Sequence, residues 1–346
     1  MIRDFRANLW LLALTAVICA VLYPALLLGI GQFLLPDQAQ GSLIRDTQGH
    51  VIGSRLVAQP FTGEQYFQPR PSAASYNGAG SAGSNWGANN YLLRDRVART
   101  LGPIVKYHGG PIKGQLVAPD IENWFQKDRF QGRAGIVAQW ASAHSTLATN
   151  WVKADPLNAA FVTSWQEGHP EDVAQWKKDN PSNPEPKPED LAVPFFTSFS
   201  KENPGKFPSG VTPEDSTEKK IESVNSGTDI QSIFFDMWRQ DHPDADLEPV
   251  PADMVMASGS GLDPHITLKN AMYQLDRVAA KWAEITKRDV SAIRQEIQTQ
   301  LKLRATAPLG GLAGVEIVNV LEINLALKDR YEERTPRAGS RIQSEP

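Results

Sequence analysis

Ser258, Ser260, Asp263 and His265 fall close together in the stretch ASGSGLDPHIT. Serine, aspartate and histidine are the side chains of nucleophilic hydrolysis. A hydrolytic triad needs nucleophile and base in hydrogen-bond contact, with a third group orienting the base. Residues this near one another along the chain rarely reach that geometry, and no G-x-S-x-G elbow is present. No catalytic residue is therefore assigned. The glycines suggest a second chemistry, because Gly-rich loops present backbone N–H groups to phosphate, above all ahead of a helix. The stretch lacks the G-x-x-x-x-G-K-[ST] pattern and its lysine, so by itself it is a weak phosphate signal. The plain structural reading is a turn. Gly259 and Gly261 permit it, Asp263 before Pro264 caps and starts a helical turn, and His265 hydrogen-bonds a loop carbonyl. A rigid loop that docks on a partner would use the same residues: Ser258, Gly259, Ser260, Gly261, Leu262, Asp263, Pro264 and His265.

A second cluster lies in YFQPRPSA. Tyr66, Phe67 and Arg70 are types enriched at interface hot spots. Pro69 and Pro71 preorganise the loop and lower the entropy cost of docking. An interface is favoured here over a packed surface loop. The six histidines, His50, His108, His144, His169, His242 and His265, show no ligand spacing such as H-x-x-x-H, so no metal site is expected. The single cysteine, Cys19, allows no intrachain disulfide. A net charge of −4 gives no reason to expect a nucleic-acid partner.

The elements that must position these loops begin with Leu9–Leu35, a run without a charged residue. A bilayer core needs about 20 apolar residues, so the run is long enough to cross with some tilt. Pro24 is expected to kink it. A cleaved signal peptide is the rival reading, but signal cores run about 7–15 residues. Arg3 and Arg6 precede the run, and the next basic residue after it is Arg45. The positive-inside bias therefore puts the N-terminus in the cytoplasm and the rest outside, in an inner or plasma membrane.

Beyond the run, residues 41–57 read as a hairpin turning at Asp46, Thr47, Gln48 and Gly49. Residues 59–90 are rich in Pro, Gly, Ser and Asn, and too long for a simple connection. A helix is predicted over 91–101 with Asn90 as N-cap. Between Pro103 and Val250 there are 14 Lys and Arg against 22 Asp and Glu, a balance of −8 that leaves +4 on the remainder. Six of the nine tryptophans fall there, which predicts a helical segment with a small aromatic core. One amphipathic helix is expected through Ile136, Val137, Trp140, Leu147 and Trp151. Another carries Ile230, Ile233, Phe234, Met237 and Trp238 behind an Asp229 cap. A Pro-rich linker runs from Asn180 to Pro194. A short buried strand is expected near Met254–Ala257. Thr267 caps a helix with Ala271, Met272, Leu275, Val278, Ala279 and Trp282 on its apolar side. A second helix carries Val290, Ile293, Ile297 and Leu301. LGGLAG from Leu309 is a turn, VEIVNVLEINLALKD gives a strand and then a helix, and the last dozen residues are frayed. The class is α+β: one N-terminal transmembrane helix and an extracytoplasmic α+β domain carrying a mainly helical insertion.

Several blocks, in order, resemble the C subunit of the Kdp-type potassium-transporting ATPase. They are the span with Tyr23-Pro24, the GSLI strand, QPFTGEQYFQPRPSA, GSNWGANN with Ser84 and Asn85, ASGSGLDPHIT and VNVLEINLALKD. The resemblance covers residues 5–102 and 247–330. It implies a layout of a cytoplasmic N-terminus (1–8), a span (9–35), an extracytoplasmic domain (36–102 with 247–330), an acidic insertion (103–246) and a polar tail (331–346). It also implies a non-catalytic accessory subunit of a high-affinity, ATP-driven potassium uptake complex. Its partners would be the channel-like subunit, the P-type ATPase subunit and membrane lipid. Tyr23, Pro24, Tyr66, Phe67, Arg70, Pro71, Ser84 and Asn85 would serve the subunit interface, and Ser258–His265 a nucleotide or docking loop. The chain would bind no cofactor alone. ATP, on the ATPase subunit, and K+ would enter at the level of the complex. The family is described as a catalytic chaperone raising ATP affinity, yet the predicted topology turns the loop away from cytoplasmic ATP, which makes that effect indirect. The chain lacks D-K-T-G-T and a Walker A, and a lone span encloses no ion path. The alternatives are an anchored envelope binding or scaffold protein unrelated to potassium, and an anchored hydrolase.

Overall fold

A computed structural model describes residues 2–332 except 47, 130–131, 214–216 and 313. The expected frayed tail therefore lies outside the described residues, as does Thr47 of the first turn and Ala313 of the LGGLAG turn. One helix runs from Ile2 to Leu34 and is apolar enough to cross a membrane. It consists of α1 (Ile2–Val17), a π-helical turn (Ile18–Leu22) and α2 (Tyr23–Leu34). Pro24 has no N–H for the carbonyl one turn back, and its ring crowds that turn. The expected distortion takes the form of this wider π turn. Next come a single turn, α3 (Pro36–Ala39), and an antiparallel hairpin, β1 (Leu43–Arg45) with β2 (Val51–Ser54). Its turn is closed by Asp46, whose Oδ1 accepts from the backbone N–H of Gln48 and His50, and by Gly49 at φ +85°.

The chain then forms α4 (Tyr91–Leu101), capped as predicted by the Asn90 side chain on Leu92 N–H. The helices α5 (Ala118–Gln126), α6 (Ile136–Ala143), α7 (Ser145–Ala154), α8 (Pro156–Gly168), α9 (Pro170–Asp179) and α10 (Ala192–Glu202) follow. A hairpin of β3 (Phe207–Val211) and β4 (Lys220–Val224) precedes α11 (Thr228–Asp241). Three sequence expectations are corrected here. The predicted helix through Ile136 and Trp151 is two helices, broken where His144 leaves helical geometry at φ −128°, ψ 51°. The Pro-rich linker ends early: Pro188–Leu191 form a 3-10 turn with Leu191 buried, and Pro194 sits in the first turn of α10, where proline is tolerated. The residue before α11 is Gly227, at φ +99°, so Asp229 lies inside the first turn and bonds Ser209 Oγ instead of capping.

The last stretch holds α12 (Ala252–Val255), β5 (His265–Thr267), α13 (Leu268–Thr286), α14 (Val290–Arg304), β6 (Ile317–Asn319) and α15 (Val320–Glu332). Thr267 caps α13 as predicted, accepting from Asn270 N–H. The strand expected at Met254–Ala257 is instead the helical turn α12. Asp253, on that turn, accepts from Thr267 N–H at 2.8 Å and Asn270 Nδ2 at 3.0 Å, ties that a strand-like sequence pattern does not reveal. The helical turn expected after Asp263 is strand β5, whose His265 pairs with Asn319 of β6.

Two compact units result, one from Met1–Asn85 with the chain from Pro251, the other from Trp86–Val250. The first unit closes its core with α13, α14 and α15 around Trp282, Leu275, Ile297 and Leu327, all fully buried. The second is built on aromatics. Trp140 meets Phe196, Phe207 and Phe234 edge-on, at 5.2, 5.8 and 6.1 Å between ring centres, a favoured geometry. This core is larger than expected, reaching Phe125, Phe195 and Phe199 as well.

Candidate docking loops

In the first unit, the segments that stood out in the sequence meet at one place. Residues 59–85 have almost no regular structure, yet they are bonded along their length. Phe67 N–H donates to Asn324 Oδ1 at 2.8 Å, and Asn324 Nδ2 donates back to Phe67 O at 2.9 Å. Gln68 exchanges two bonds with Gln274 in the same manner. Arg277 Nη2 donates to Tyr66 O at 3.0 Å. Each side-chain amide substitutes for a neighbouring strand, supplying one donor and one acceptor to an otherwise orphaned buried backbone.

Pinned there, the loop presents Arg70 to the ASGSGLDPHIT stretch. Arg70 Nη1 lies 3.3 Å from Asp263 Oδ2, and Nη2 donates to Ala257 O at 3.4 Å, while Nε is buried without a partner. Asp263 Oδ1 accepts from His265 N–H at 3.0 Å and stands 3.3 Å from its Nδ1. The bond from the His265 ring, together with the Arg70 charge and against the effect of burial, holds the Asp263 carboxyl below its ordinary value. His265 thus pairs with a carboxylate rather than the loop carbonyl expected from sequence. Asp263 does cap locally, as an Asx turn ahead of a strand.

Backbone bonds finish the assembly. Ser258 N–H donates to Pro71 O, Ser72 Oγ to Gly261 O at 2.6 Å, Ala82 N–H to Ser260 O at 2.9 Å, and Ala58 N–H to Leu262 O at 2.9 Å. Gly261 sits at φ +70°, and a Cβ there would lie 2.7 Å from Ala82 O. A Cβ on Gly83 would lie 2.8 Å from Gly259 O. These approaches exclude larger residues at both places.

The site residues fall into three groups. Arg70, Pro71 and Ser258–His265 are joined directly, with Ser84 and Asn85 following the irregular contact segment of residues 81–83. Gly259, Ser260 and Asn85 are exposed; Leu262, Asp263, His265 and Ser84 are half-buried; Ser258, Gly261 and Pro264 are buried. Tyr66 and Phe67 turn the other way. Tyr66 packs edge-on against Trp282 at 6.3 Å, and Phe67 is fully buried in the core, so it supports the loop from beneath instead of offering a surface. Tyr23 and Pro24 lie exposed on the N-terminal apolar helix. Sequence reading missed Ser72, Asp253, Asn270, Gln274 and Asn324. A signal existed for the last three: each is a polar residue interrupting the apolar face of a helix.

Nothing in this arrangement aligns a nucleophile with a base. Among the described residues, no group of three His, Cys, Asp or Glu is placed to hold a metal ion. Among the described residues, the fold and the loops define a class: a protein with one long apolar N-terminal helix and a unit of mixed helix and strand whose loops are tied together by hydrogen bonds and an ion pair. The chain belongs to the KdpC family, described as the K+-transporting ATPase c chain, which it matches over residues 5–117 and 223–329, more than half its length. Potassium-transporting ATPase KdpC subunits resemble it closely in those parts. The one from Pseudomonas aeruginosa is 42% identical over 117 residues, 34% of this chain and 64% of the relative. The one from Parvibaculum lavamentivorans is 43% identical over 116 residues, 34% of this chain and 62% of the relative. The one from Geobacter sulfurreducens is 41% identical over 126 residues, 35% of this chain and 64% of the relative. The aligned part thus spans slightly less than two thirds of these relatives. Residues 118–222, from α5 into β4, lie between the two family blocks.

Proposed function

We propose that the chain is a non-catalytic accessory subunit of an ATP-driven potassium uptake complex, and that its loop assembly docks on a partner subunit of that complex. The observation that carries this reading is the convergence of residues 70–72, 81–83 and 257–265 on one hydrogen-bonded surface. A surface already ordered before docking loses little entropy when a partner binds. Arg70, Pro71, Ser84, Asn85, Gly259 and Ser260 form the contact, with Tyr23 and Pro24 meeting the channel-like subunit inside the bilayer. The helix Ile2–Leu34 crosses the membrane with its N-terminus in the cytoplasm, and the chain from about Pro36 onward lies outside. ATP affinity of the ATPase subunit is then raised through the assembled complex, without direct contact between this loop and nucleotide. Co-purification of the tagged chain with the channel-like and ATPase subunits tests the assignment; recovery of the chain alone from a functional pump refutes it. Protease added to spheroplasts should digest both units, and their protection would reverse the topology.

The acidic segment, residues 103–246, is an insertion on this accessory domain. Its balance of −7, from 14 Lys and Arg against 21 Asp and Glu, raises the local concentration of K+ at low ionic strength. A version lacking residues 105–246 should lose apparent potassium affinity at low salt and match the full chain at high salt. Equal affinity at low salt would remove this role.

A further inference from the structure

The link between the N-terminal helix and the first hairpin is short and bonded at every step. Ser42 N–H donates to Asp37 O at 2.8 Å, Ser54 Oγ to Gly41 O at 2.7 Å, and Arg55 N–H to Ser42 O at 3.0 Å. The Arg55 guanidinium adds pairs with Asp37 at 3.4 Å and Glu322 at 2.7 Å. These pairs are half-exposed and add little energy, but they fix direction. The hairpin therefore starts where the helix stops. Asp37 lies three residues past Leu34, and Leu35 between them leaves helical geometry at φ −136°, ψ 52°, so the chain reaches at most about 11 Å beyond the helix end. The headgroup layer outside the hydrocarbon core is about 5–8 Å deep on each side. The two lengths let the hairpin start within the headgroup layer or at its outer edge.

The side chains fit that depth. One face of the hairpin turns inward: a Cβ on Gly53 would lie 2.7 Å from Leu321. Leu43 pairs with Ser54, on the face opposite Gly53, and Ile52 is the unpaired extra residue of a bulge between the Ile44–Gly53 and Arg45–Val51 pairs. Leu43 and Ile52 are 38% and 36% exposed, and Leu56, just past the strand, is 57% exposed. Together with Phe33, Leu34 and Leu35 at the helix end, all exposed, they prolong the apolar surface of the span. Exposed apolar area of this kind gains about 25 cal/mol for each Å² removed from water.

We infer that the β1–β2 hairpin lies in the headgroup layer of the bilayer, with Leu43, Ile52 and Leu56 turned toward lipid. The inference rests on the reading of Ile2–Leu34 as a span, and the test separates the two. The full chain is reconstituted in vesicles of zwitterionic and anionic phospholipid and spin-labelled at one cysteine at a time. The sites are native Cys19, or Leu43→Cys, Ile52→Cys or Leu303→Cys in a Cys19→Ser background. Leu303 is an exposed apolar residue at the far end of α14 and serves as the reference. Collision with a water-soluble nickel complex should be at least about threefold weaker at positions 43 and 52 than at 303, with oxygen collision stronger, as depth in the bilayer dictates. Equal nickel accessibility at 43, 52 and 303, with Cys19 shielded, overturns the hairpin inference alone. Nickel access at Cys19 overturns the span and the inference with it. Shielding at 43 and 52 that appears only after addition of the pump subunits also overturns it, because it assigns the face to protein.

Discussion

Two carboxylates hold the first unit in place at the level of single side chains. Glu296 receives Arg288 Nη2 at 2.5 Å, Arg330 Nε at 3.1 Å and the Tyr331 hydroxyl at 3.0 Å. The Arg288 bond first, then those from Tyr331 and Arg330, pull its carboxyl down to about 2 against burial. A folded value below the unfolded one means the stabilisation is complete above the ordinary value near 4.5 and is lost as pH falls toward 2. Urea unfolding should show Glu296→Gln about 2 kcal/mol less stable at pH 7, with the difference shrinking toward pH 2. Asp263 obeys the same sign. Asp263→Asn removes a charge-assisted bond to each of Arg70 and His265 and should cost about 1–3 kcal/mol at neutral pH. The same change should weaken capture of the pump subunits, whereas Glu296→Gln, whose partners are Arg288, Arg330 and Tyr331, should not. That SGSGLDPH is a turn was legible from its glycines. The partner of Asp263 was not, because Arg70 arrives from 193 residues away.

At the level of elements, the polar residues on apolar helix faces are the ties that hold the long loop. Asn324→Leu keeps the volume of the side chain but orphans Phe67 N–H and Phe67 O. The expected cost is about 1–3 kcal/mol for each buried group left unpaired, with the 59–85 segment becoming the first site of limited proteolysis. Thr267→Ala should lower stability by about 1 kcal/mol through loss of the α13 cap, and Thr267→Ser should restore most of it. Both are read from denaturant midpoints. Local signals made α4, α13 and α14 legible: Asn90 and Thr267 at the caps, and apolar spacing at Ile293, Ile297 and Leu301. Elements set by distant contacts were misread. The α12 turn depends on Asp253 reaching Thr267, and the break at His144 falls at neither a proline nor a glycine. The β3–β4 hairpin, with Pro208 and Gly210 in its first strand, carried no strand pattern at all.

On the scale of the whole molecule, the second unit has its own aromatic core and all of its secondary structure within one continuous stretch. Residues 86–250 alone should therefore fold, with a sharp near-ultraviolet circular dichroism signal from buried Trp140 and Trp238. A flat spectrum from that fragment would show that its core needs the rest of the chain. The composition change near Pro103 marked the segment as distinct. Its large core was only partly legible, because six tryptophans announce burial without saying which phenylalanines join them.

The first unit, in contrast, is made from two stretches separated by the other unit, and this sets a timetable for synthesis. Phe67 leaves the ribosome long before Asn324 exists to receive it. The intervening residues, Trp86–Val250, take about 10–30 s to make at about 5–20 residues per second. Through that interval the N-terminal helix is already made and the aromatic unit is still being completed, while the loop of residues 59–85 has nothing to fold upon. Only chains translated through α15 can display the surface built from Arg70, Gly83 and Gly259. A partner that reads that surface is thereby reading whether the subunit has been finished.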